Sequence, residues 1–253
     1  MSLADLSGKV ALVTGVSGQL GGAIARTLGG CGATVVGTYH QSGRRAEDLV
    51  AELRDAGLPA HAVAVDFAEP RASAGLLSRV RAAAGPPDIL VCAHGGTQRR
   101  GVLETGDRSS AGPLWQVNVD AAVTLAGLAA KGMIRRRSGR IVLVGSRAGI
   151  AGMPGQADYA ATKAALQAWA ASAAWELGPF GITVNVVAPG AVEVDPHGTA
   201  VYSEEENEVA ASRTAARRLG TAAEVAAMVA FLTSAGAAYV TGQTIAVDGG
   251  ARW

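Results

Sequence analysis

Tyr159 and Lys163 stand four residues apart in Tyr159-Ala160-Ala161-Thr162-Lys163, inside a stretch with helical character. That spacing puts both side chains on one helix face, a single turn apart. The pairing has chemical meaning because a phenol with a pKa of about 10 is a poor acid or base at neutral pH. A neighbouring ammonium favours the phenolate and brings the hydroxyl into a useful range. Thirteen residues earlier, Ser146 closes the strand-like run Arg140–Ser146. Its hydroxyl would hold a substrate oxygen beside the Tyr159 hydroxyl. An isolated Tyr–Lys pair is usually a surface contact. A serine at the carboxyl edge of a strand, where open α/β sheets bind ligands, makes this pair a candidate for proton transfer.

A second group of residues suits a dinucleotide. The run Lys9–Thr14 leads into Thr14-Gly15-Val16-Ser17-Gly18-Gln19-Leu20-Gly21-Gly22 and then into a helical pattern. Glycines in such a turn let the backbone bend sharply and approach a pyrophosphate, and the helix N-terminus offers free N–H groups to phosphates. The position between a first strand and a helix separates this cluster from an ordinary turn. An NAD site would carry an acidic side chain about 20 residues further on. Here the second apolar run ends in Tyr39-His40-Gln41-Ser42-Gly43-Arg44-Arg45, with no Asp or Glu before Glu47. Arg44, Arg45 and His40 suit a 2′-phosphate, so NADP(H) is favoured over NAD(H). The plainer reading is a pair of arginines on an exposed helix start. Asp66, closing the third run, is placed to accept a hydrogen bond from an adenine amino group or to cap the next helix.

The elements that must position these groups alternate along the chain. Strands are expected at Lys9–Thr14, Thr34–Tyr39, Ala60–Asp66, Ile89–His94, Arg140–Ser146, Thr183–Ala188 and Thr244–Asp248. Helices are expected between them at Gln19–Cys31, Arg44–Ala56, Pro70–Ala84, Ser110–Arg136, Ala157–Leu177 and Ala222–Ser234. Unbroken apolar runs such as Val10-Ala11-Leu12-Val13 point to strands buried on both faces. The alternation implies an α/β fold with a mostly parallel sheet between helices, as a single domain over residues 1–253. The irregular stretch at about 190–212, carrying Glu204-Glu205-Glu206-Asn207-Glu208, is expected to be a substrate lid or a solvated helix.

Composition excludes several classes of function. The 22 Lys and Arg nearly balance the 21 Asp and Glu, so the net charge is +1 and no basic excess marks a nucleic-acid or membrane-surface binder. No uninterrupted apolar run approaches the roughly 18 residues of a membrane span. Met1–Gly8 lacks the basic and apolar regions of a secretion signal. Cys31 and Cys92 are too few for a disulfide framework or a thiolate zinc site. A reduced, cytoplasmic enzyme with no metal is the expectation.

Together, the glycine turn, Asn118 in Val117-Asn118-Val119, Ser146, Tyr159, Lys163 and Asn185-Val186-Val187-Ala188-Pro189-Gly190 resemble the short-chain dehydrogenase/reductase family. The resemblance runs from about Leu6 to Val247-Asp248-Gly249-Gly250. The segments Ile182–Gly190 and Arg217-Arg218-Leu219-Gly220 look most like its 3-oxoacyl-acyl-carrier-protein reductase branch. It implies a Rossmann-type doubly wound sheet of seven parallel strands and nicotinamide-dependent chemistry between a ketone and a secondary alcohol. A 3-oxoacyl thioester or polyketide-like substrate, and assembly as a homotetramer or homodimer, follow from the same resemblance. By it, Tyr159 is the general acid of ketone reduction, and Lys163 lowers its pKa and holds the nicotinamide ribose. Ser146 orients the carbonyl, and Asn118 anchors a water in a proton relay. The implied cofactor site comprises Gly15, Ser17, Gly18, Gln19, Leu20 and Gly21 of the turn, with Tyr39, His40, Arg44, Arg45, Asp66 and Phe67. Ala93, His94, Gly95, Pro189, Gly190 and Val192 complete it with Tyr159 and Lys163. The rivals are an NAD(H)-dependent alcohol, sugar or steroid dehydrogenase and a non-catalytic dinucleotide sensor. The enoyl reductases space their tyrosine and lysine more widely.

The chain departs from the family's pattern at several places. Its glycines fall at 15, 18 and 21, with Gln19 where a glycine is usual. Cys92-Ala93-His94-Gly95 stands where relatives usually carry Asn-Asn-Ala-Gly, and Val194 replaces a hydroxyl residue. Arg135, Arg136 and Arg137 either help dock an acidic carrier protein or complement a helix C-terminus, and Phe180 sits where a second basic residue is common. His197 has no assigned role. The alanine-rich Ala157–Leu177 stretch, with Trp169 and Trp175, suits either a neighbouring subunit or its own sheet, and Ala251-Arg252-Trp253 could tuck into a neighbour.

Overall fold

The computed structural model describes residues 4–69, 71–97, 102, 111–193 and 203–252. Val194 and His197 lie outside the described residues, as does Trp253. The strands are Val10–Thr14 (β1), Thr34–Tyr39 (β2), Ala60–Ala64 (β3), Ile89–Cys92 (β4), Gly139–Val144 (β5), Ile182–Pro189 (β6) and Thr244–Val247 (β7). All pair in parallel, in the order β3-β2-β1-β4-β5-β6-β7. The helices are Gln19–Gly30 (α1), Gly43–Asp55 (α2), Ala72–Ala84 (α3), Ala111–Trp115 (α4), Ala121–Arg136 (α5), Ala148–Ala151 (α6), Ala157–Leu177 (α7), Glu204–Ser212 (α8) and Ala222–Thr233 (α9). This is the doubly wound Rossmann-type architecture that the alternation implied.

Successive strand residues point to opposite faces, and each face has its own core. On one side Val13, Val35, Val91, Val142 and Val187 meet Ile24 and Leu28 of α1, Leu49 and Leu53 of α2, and Val225 and Val229 of α9. On the other, Leu12, Val36, Leu90, Leu143 and Val186 meet Leu76 of α3, Leu125 and Met133 of α5, and Leu166 of α7. The order reverses between β1 and β4, because the chain leaves β1 toward β2 and returns to pair β4 on the other side. Loops after these two strands therefore part and leave a crevice at the carboxyl edge of the sheet.

Three strands end two residues earlier than the sequence implied. β3, β4 and β5 stop at Ala64, Cys92 and Val144, so Asp66, His94 and Ser146 stand on the loops just past the ladder. The helix expected over Ser110–Arg136 is broken into α4, a π-helical turn at Gln116–Asp120, and α5. Such widened turns gather at functional sites, and this one holds Asn118. Within Ala111–Arg136 an 18-residue window with a mean hydropathy of 1.3 is long and apolar enough to cross a membrane by length and composition alone, although Asp120 and Lys131 interrupt any continuous apolar run. Half of that window is buried inside the fold, as befits a core helix. The short helix α6 was not anticipated, whereas α8, with no buried residue, is the solvated helix that one reading of the acidic run expected. Ser203 and Glu206 form a capping box that starts α8 from the acidic run.

The arginine cluster is largely engaged within the chain. Arg136 pairs with Asp88 at 3.5 Å and donates to the Pro87 carbonyl, while Arg137 lies 5.9 Å above the Phe180 ring. Trp169 packs on the core of its own chain, whereas Trp175 is 87% exposed.

The glycine turn has little slack. A Cβ on Gly21 would collide with the Gly15 carbonyl oxygen and stand 2.7 Å from its carbon. Gly21→Ala is therefore expected to cost about 1–3 kcal/mol through overpacking, read as a lower urea midpoint at unchanged m-value.

Candidate functional site

Two cavities open at the carboxyl edge of the sheet. The smaller, of about 330 Å³, lies over β1 to β4 and is lined by Gly15, Ser17, Gly18, Tyr39, His40, Asp66, Phe67, Ala93, His94 and Gly95, all expected from the sequence. Thr38, Gln41, Ser42, Val65 and Val117 line it too and were not singled out. Gly15 adopts a φ of +72°, and a Cβ there would press to 3.0 Å from the His94 Cα, so only glycine fits between the loops after β1 and β4.

Thr14 ties those two loops together. Its hydroxyl accepts from the backbone N–H of Ala93 at 3.0 Å and of His94 at 3.2 Å, and it bonds His94 Nδ1 at 2.6 Å. The His94 ring stacks on Phe67 with centroids 4.1 Å apart. Burial, aided by the nearby Lys163 charge, holds its pKa down at about 3, so the imidazole is neutral and serves packing rather than acid–base chemistry.

Asp66 turns out to be engaged. One carboxylate oxygen accepts from Ala68 N at 2.9 Å, in the turn before α3 and not at its cap, which is Arg71, and the other lies 3.2 Å from His40 Nε2. Arg44 and Arg45 stand on the first turn of α2, directly after the lining residues Gln41 and Ser42, but do not line the cavity themselves. Arg44 is largely in solvent, with Asp48 4.0 Å away.

The larger cavity, of about 690 Å³, brings Ser146 and Tyr159 to one wall, with Pro189, Gly190 and Val192 after β6 and Gln19 and Leu20 from the glycine turn. Val209 and Ala210 of α8, and Ala251 and Arg252 near the C-terminus, close it from the other side. The C-terminal segment thus folds onto its own chain, where Arg252 N donates to the Arg213 carbonyl at 2.9 Å. Gln19 does not reach the smaller cavity, because its amide donates to the Glu193 carbonyl and bridges the turn to the loop after β6. Arg147, Met153, Gln156 and Ala191 also line this space and carried no signal in the sequence.

Ser146 lies two residues past β5, and its Oγ accepts from Ala148 N at 3.1 Å. That bond leaves the hydroxyl proton available to a substrate oxygen. The adjacent Arg147 fastens the loop: its N–H donates to the Pro189 carbonyl at 2.8 Å, and its guanidinium meets Asp248 at 2.5 Å. Both partners of that ion pair are mostly buried, so screening by solvent is slight.

Lys163 is buried at 5% exposure, and its ammonium donates to the Val144 carbonyl at 3.0 Å. It stands 5.8 Å from the centre of the Tyr159 ring. Burial lowers its pKa to about 8, and burial likewise pushes the neighbouring Cys92 thiol up to about 12. The thiol therefore stays neutral at physiological pH and does not compete for the ammonium. Asn118 bonds across to the Gly96 backbone in both directions, and also donates to Thr162 Oγ1 at 3.0 Å, which in turn donates to the Tyr159 carbonyl at 2.7 Å. Both Asn118 amide protons are used in bracing α7 against the loop after β4. A Cβ on Gly95 would come 3.0 Å from Asn118 Oδ1 and 3.3 Å from Lys163 Nζ, so glycine keeps that approach open.

Residues 15–252 match the family model described as Enoyl-(Acyl carrier protein) reductase. The 3-oxoacyl-acyl-carrier-protein reductase of Escherichia coli is 38% identical over 247 residues, which is 97% of this chain and 98% of that protein. The chain belongs to the short-chain dehydrogenase/reductase family. It is an oxidoreductase of alcohol and ketone groups. A short chain dehydrogenase from Burkholderia cenocepacia, solved in complex with NADP, superposes with a TM-score of 0.87 at 36% identity, covering 97% of this chain and 98% of that one. A blue fluorescent protein from a metagenomic library, solved with NADPH, gives a TM-score of 0.87 at 33% identity and the same coverage.

The depressed Lys163 pKa has a consequence for stability. Folding lowers it from 10.5 to about 8, so between these values the unfolded chain holds a proton that the native chain has released. Stability from this group therefore rises with pH across that window and is flat below it. Between pH 8 and 9 wild type is expected to gain up to about 1 kcal/mol relative to Lys163→Met, a comparison in which the ionisation of Cys92 in the unfolded chain is common to both proteins and cancels. Urea unfolding of both proteins across that range measures the difference.

Proposed function

We propose that the chain is a cytoplasmic, NADP(H)-dependent ketoreductase of 3-oxoacyl thioesters or similar β-keto compounds. The observation that carries this reading is the convergence of Ser146 and Tyr159 on one wall of the larger cavity, with Lys163 buried behind the tyrosine. The E. coli relative is a reductase of 3-oxoacyl groups by its name. The four-residue spacing of Tyr159 and Lys163 supports ketone rather than enoyl chemistry.

The smaller cavity fits a dinucleotide. Gly15, Gly21 and Gly95 each leave room that a Cβ would fill, and α1 begins without an acidic residue in its first turn. The lining at the end of β2 is Tyr39, His40, Gln41 and Ser42, without a carboxylate to repel a 2′-phosphate, and Arg44 and Arg45 follow at once. These features support NADP(H) over NAD(H), as do the two nucleotide-bound neighbours.

When bound, the reduced nicotinamide supplies hydride to the ketone carbon. Tyr159 gives its hydroxyl proton to the carbonyl oxygen, and Ser146 holds that oxygen with its free hydroxyl proton. Lys163 stabilises the phenolate left behind. Asn118 acts at one remove, through Thr162 and Gly96, by fixing the first turn of α7. Val192 and the α8 residues Glu205, Glu206, Val209 and Ala210 line the larger cavity, which supports a lid role for these parts of the 190–212 stretch. A second copy of the chain covers the exposed Trp175 and the unburied half of Ala111–Arg136, giving a homodimer or homotetramer.

Tyr159→Phe is expected to lower kcat for a 3-oxoacyl thioester by a factor of 10² or more, in line with the loss of a general acid. NADPH affinity should stay within about threefold, and retained turnover would overturn the mechanism. In a fluorescence titration of wild type, NADPH is expected to bind at least about tenfold more tightly than NADH. Arg44→Ala and Arg45→Ala together should erase that preference; a preference that survives the double change places the 2′-phosphate elsewhere.

A further inference from the structure

One side chain spans the passage between the two cavities. At the glycine turn, Gly15, Ser17 and Gly18 line the smaller cavity, and Gln19 and Leu20 line the larger. From the end of β6 onward, Pro189, Gly190, Ala191 and Val192 line the larger cavity as well. A dinucleotide with its adenosine in the smaller cavity and its nicotinamide beside Tyr159 runs its diphosphate between these two margins. The Gln19 amide crosses from one margin to the other, where it donates to the Glu193 carbonyl. The bond lies on the solvent side, since Glu193 is exposed and Gln19 is half-buried.

Each end of this bond is anchored without help from the other. Gln19 is the first residue of α1, whose Ile24 and Leu28 share a core with Val225 and Val229 of α9. On the far margin, Glu193 N donates to the Gly220 carbonyl at 2.8 Å, and Gly220 N donates to the Ala191 carbonyl at 3.0 Å. Val192 and Gly220 thereby form a short parallel bridge just before Thr221, the cap of α9. Opening the Gln19 bond therefore leaves both margins in place. Either nucleoside of a dinucleotide is much wider than the diphosphate between them. Neither can be threaded beneath a closed link, so the link has to part for the dinucleotide to be laid in from solvent. A single exposed hydrogen bond is weak enough to part and strong enough to keep the open form a minority. Entry then slows in proportion to the fraction of molecules that stand open.

We propose that the Gln19–Glu193 bond is a clasp over the dinucleotide passage, so that Gln19 sets the rate of cofactor exchange. The clasp holds the free protein shut against entry and re-forms over the bound diphosphate to delay departure. It acts on both steps alike, and affinity is left nearly unchanged. The inference rests on the dinucleotide reading of the two cavities. It is indifferent to the choice between NADP(H) and NAD(H), which have the same diphosphate.

The test is stopped-flow fluorescence of the full chain with NADPH and, separately, NADH. Gln19→Met removes the donor at similar length and without a change of charge near the diphosphate, and Gln19→Ala removes the reach as well. In both variants the association and dissociation rate constants are expected to rise together, by about three- to tenfold, the worth of one such bond. Kd should stay within about twofold, and the urea midpoint of each variant shows that it is folded. Unchanged rates in the folded variants overturn the proposal. A loss of affinity carried by dissociation alone overturns it too, because the amide would then be bonding the dinucleotide itself. A wild type that binds neither nucleotide overturns the dinucleotide reading and this proposal with it, before any substitution is made.

Discussion

Burying an ammonium group is the constraint around which the catalytic half of this protein is built. Lys163 has left water for a position under the sheet edge, where an unpaired charge would be prohibitive. The fold offers it the Val144 carbonyl, which lies at the last residue of β5. Its other neighbours are chosen so as not to compete. Cys92 is held as a neutral thiol, and His94 is held as a neutral ring. Gly95 withholds a side chain where one would crowd both Lys163 and Asn118. The result is a cation with one strong acceptor and an adjacent phenol, a setting in which its charge acts on the Tyr159 hydroxyl with little dielectric loss.

The cofactor half shows how a family site tolerates unusual residues. Cys92, Ala93 and His94 remove the amides that relatives usually place after β4. Thr14 braces this loop, with one hydroxyl tying together two backbone N–H groups and an imidazole. The ring of His94 finds its place on Phe67. Gln19 is absorbed differently. It turns away from the dinucleotide crevice and fastens the first turn to the Glu193 carbonyl. A substitution in the glycine turn has thus become a link between cofactor loop and substrate wall.

The substrate cavity owes its shape to contacts between distant segments. The loop carrying Ser146 is pinned to the end of β6 by backbone and to the residue after β7 by the Arg147–Asp248 ion pair. Asp248 also accepts from Gly250 N at 3.0 Å, and this turn aims Ala251 and Arg252 at the cavity. Catalytic groups come from the rigid sheet edge and α7, whereas the outer wall comes from α8 and the C-terminal segment. This division lets selectivity vary while the proton-transfer geometry stays fixed.

By itself the amino-acid sequence determined the layering, the Tyr159–Lys163 pairing with Ser146 nearby, and the glycine turn after β1. Unbroken β-branched runs between amphipathic stretches admit few arrangements other than a parallel sheet between helices. The Tyr159–Lys163 spacing, the position of Ser146 and the glycines after β1 are local patterns whose geometry follows from one helix turn or one tight loop. Groups whose roles depend on distant partners were not legible. The contact of Asp66 with His40, and the bonds of Asn118 to Gly96 and Thr162, follow from no local pattern. The bond from Gln19 to Glu193 and that from Arg147 to Asp248 follow from no periodicity or motif, because their partners lie 174 and 101 positions away. Burial and hydrogen-bond satisfaction are properties of the packed chain, and only the tertiary structure decides which polar groups are left facing a ligand.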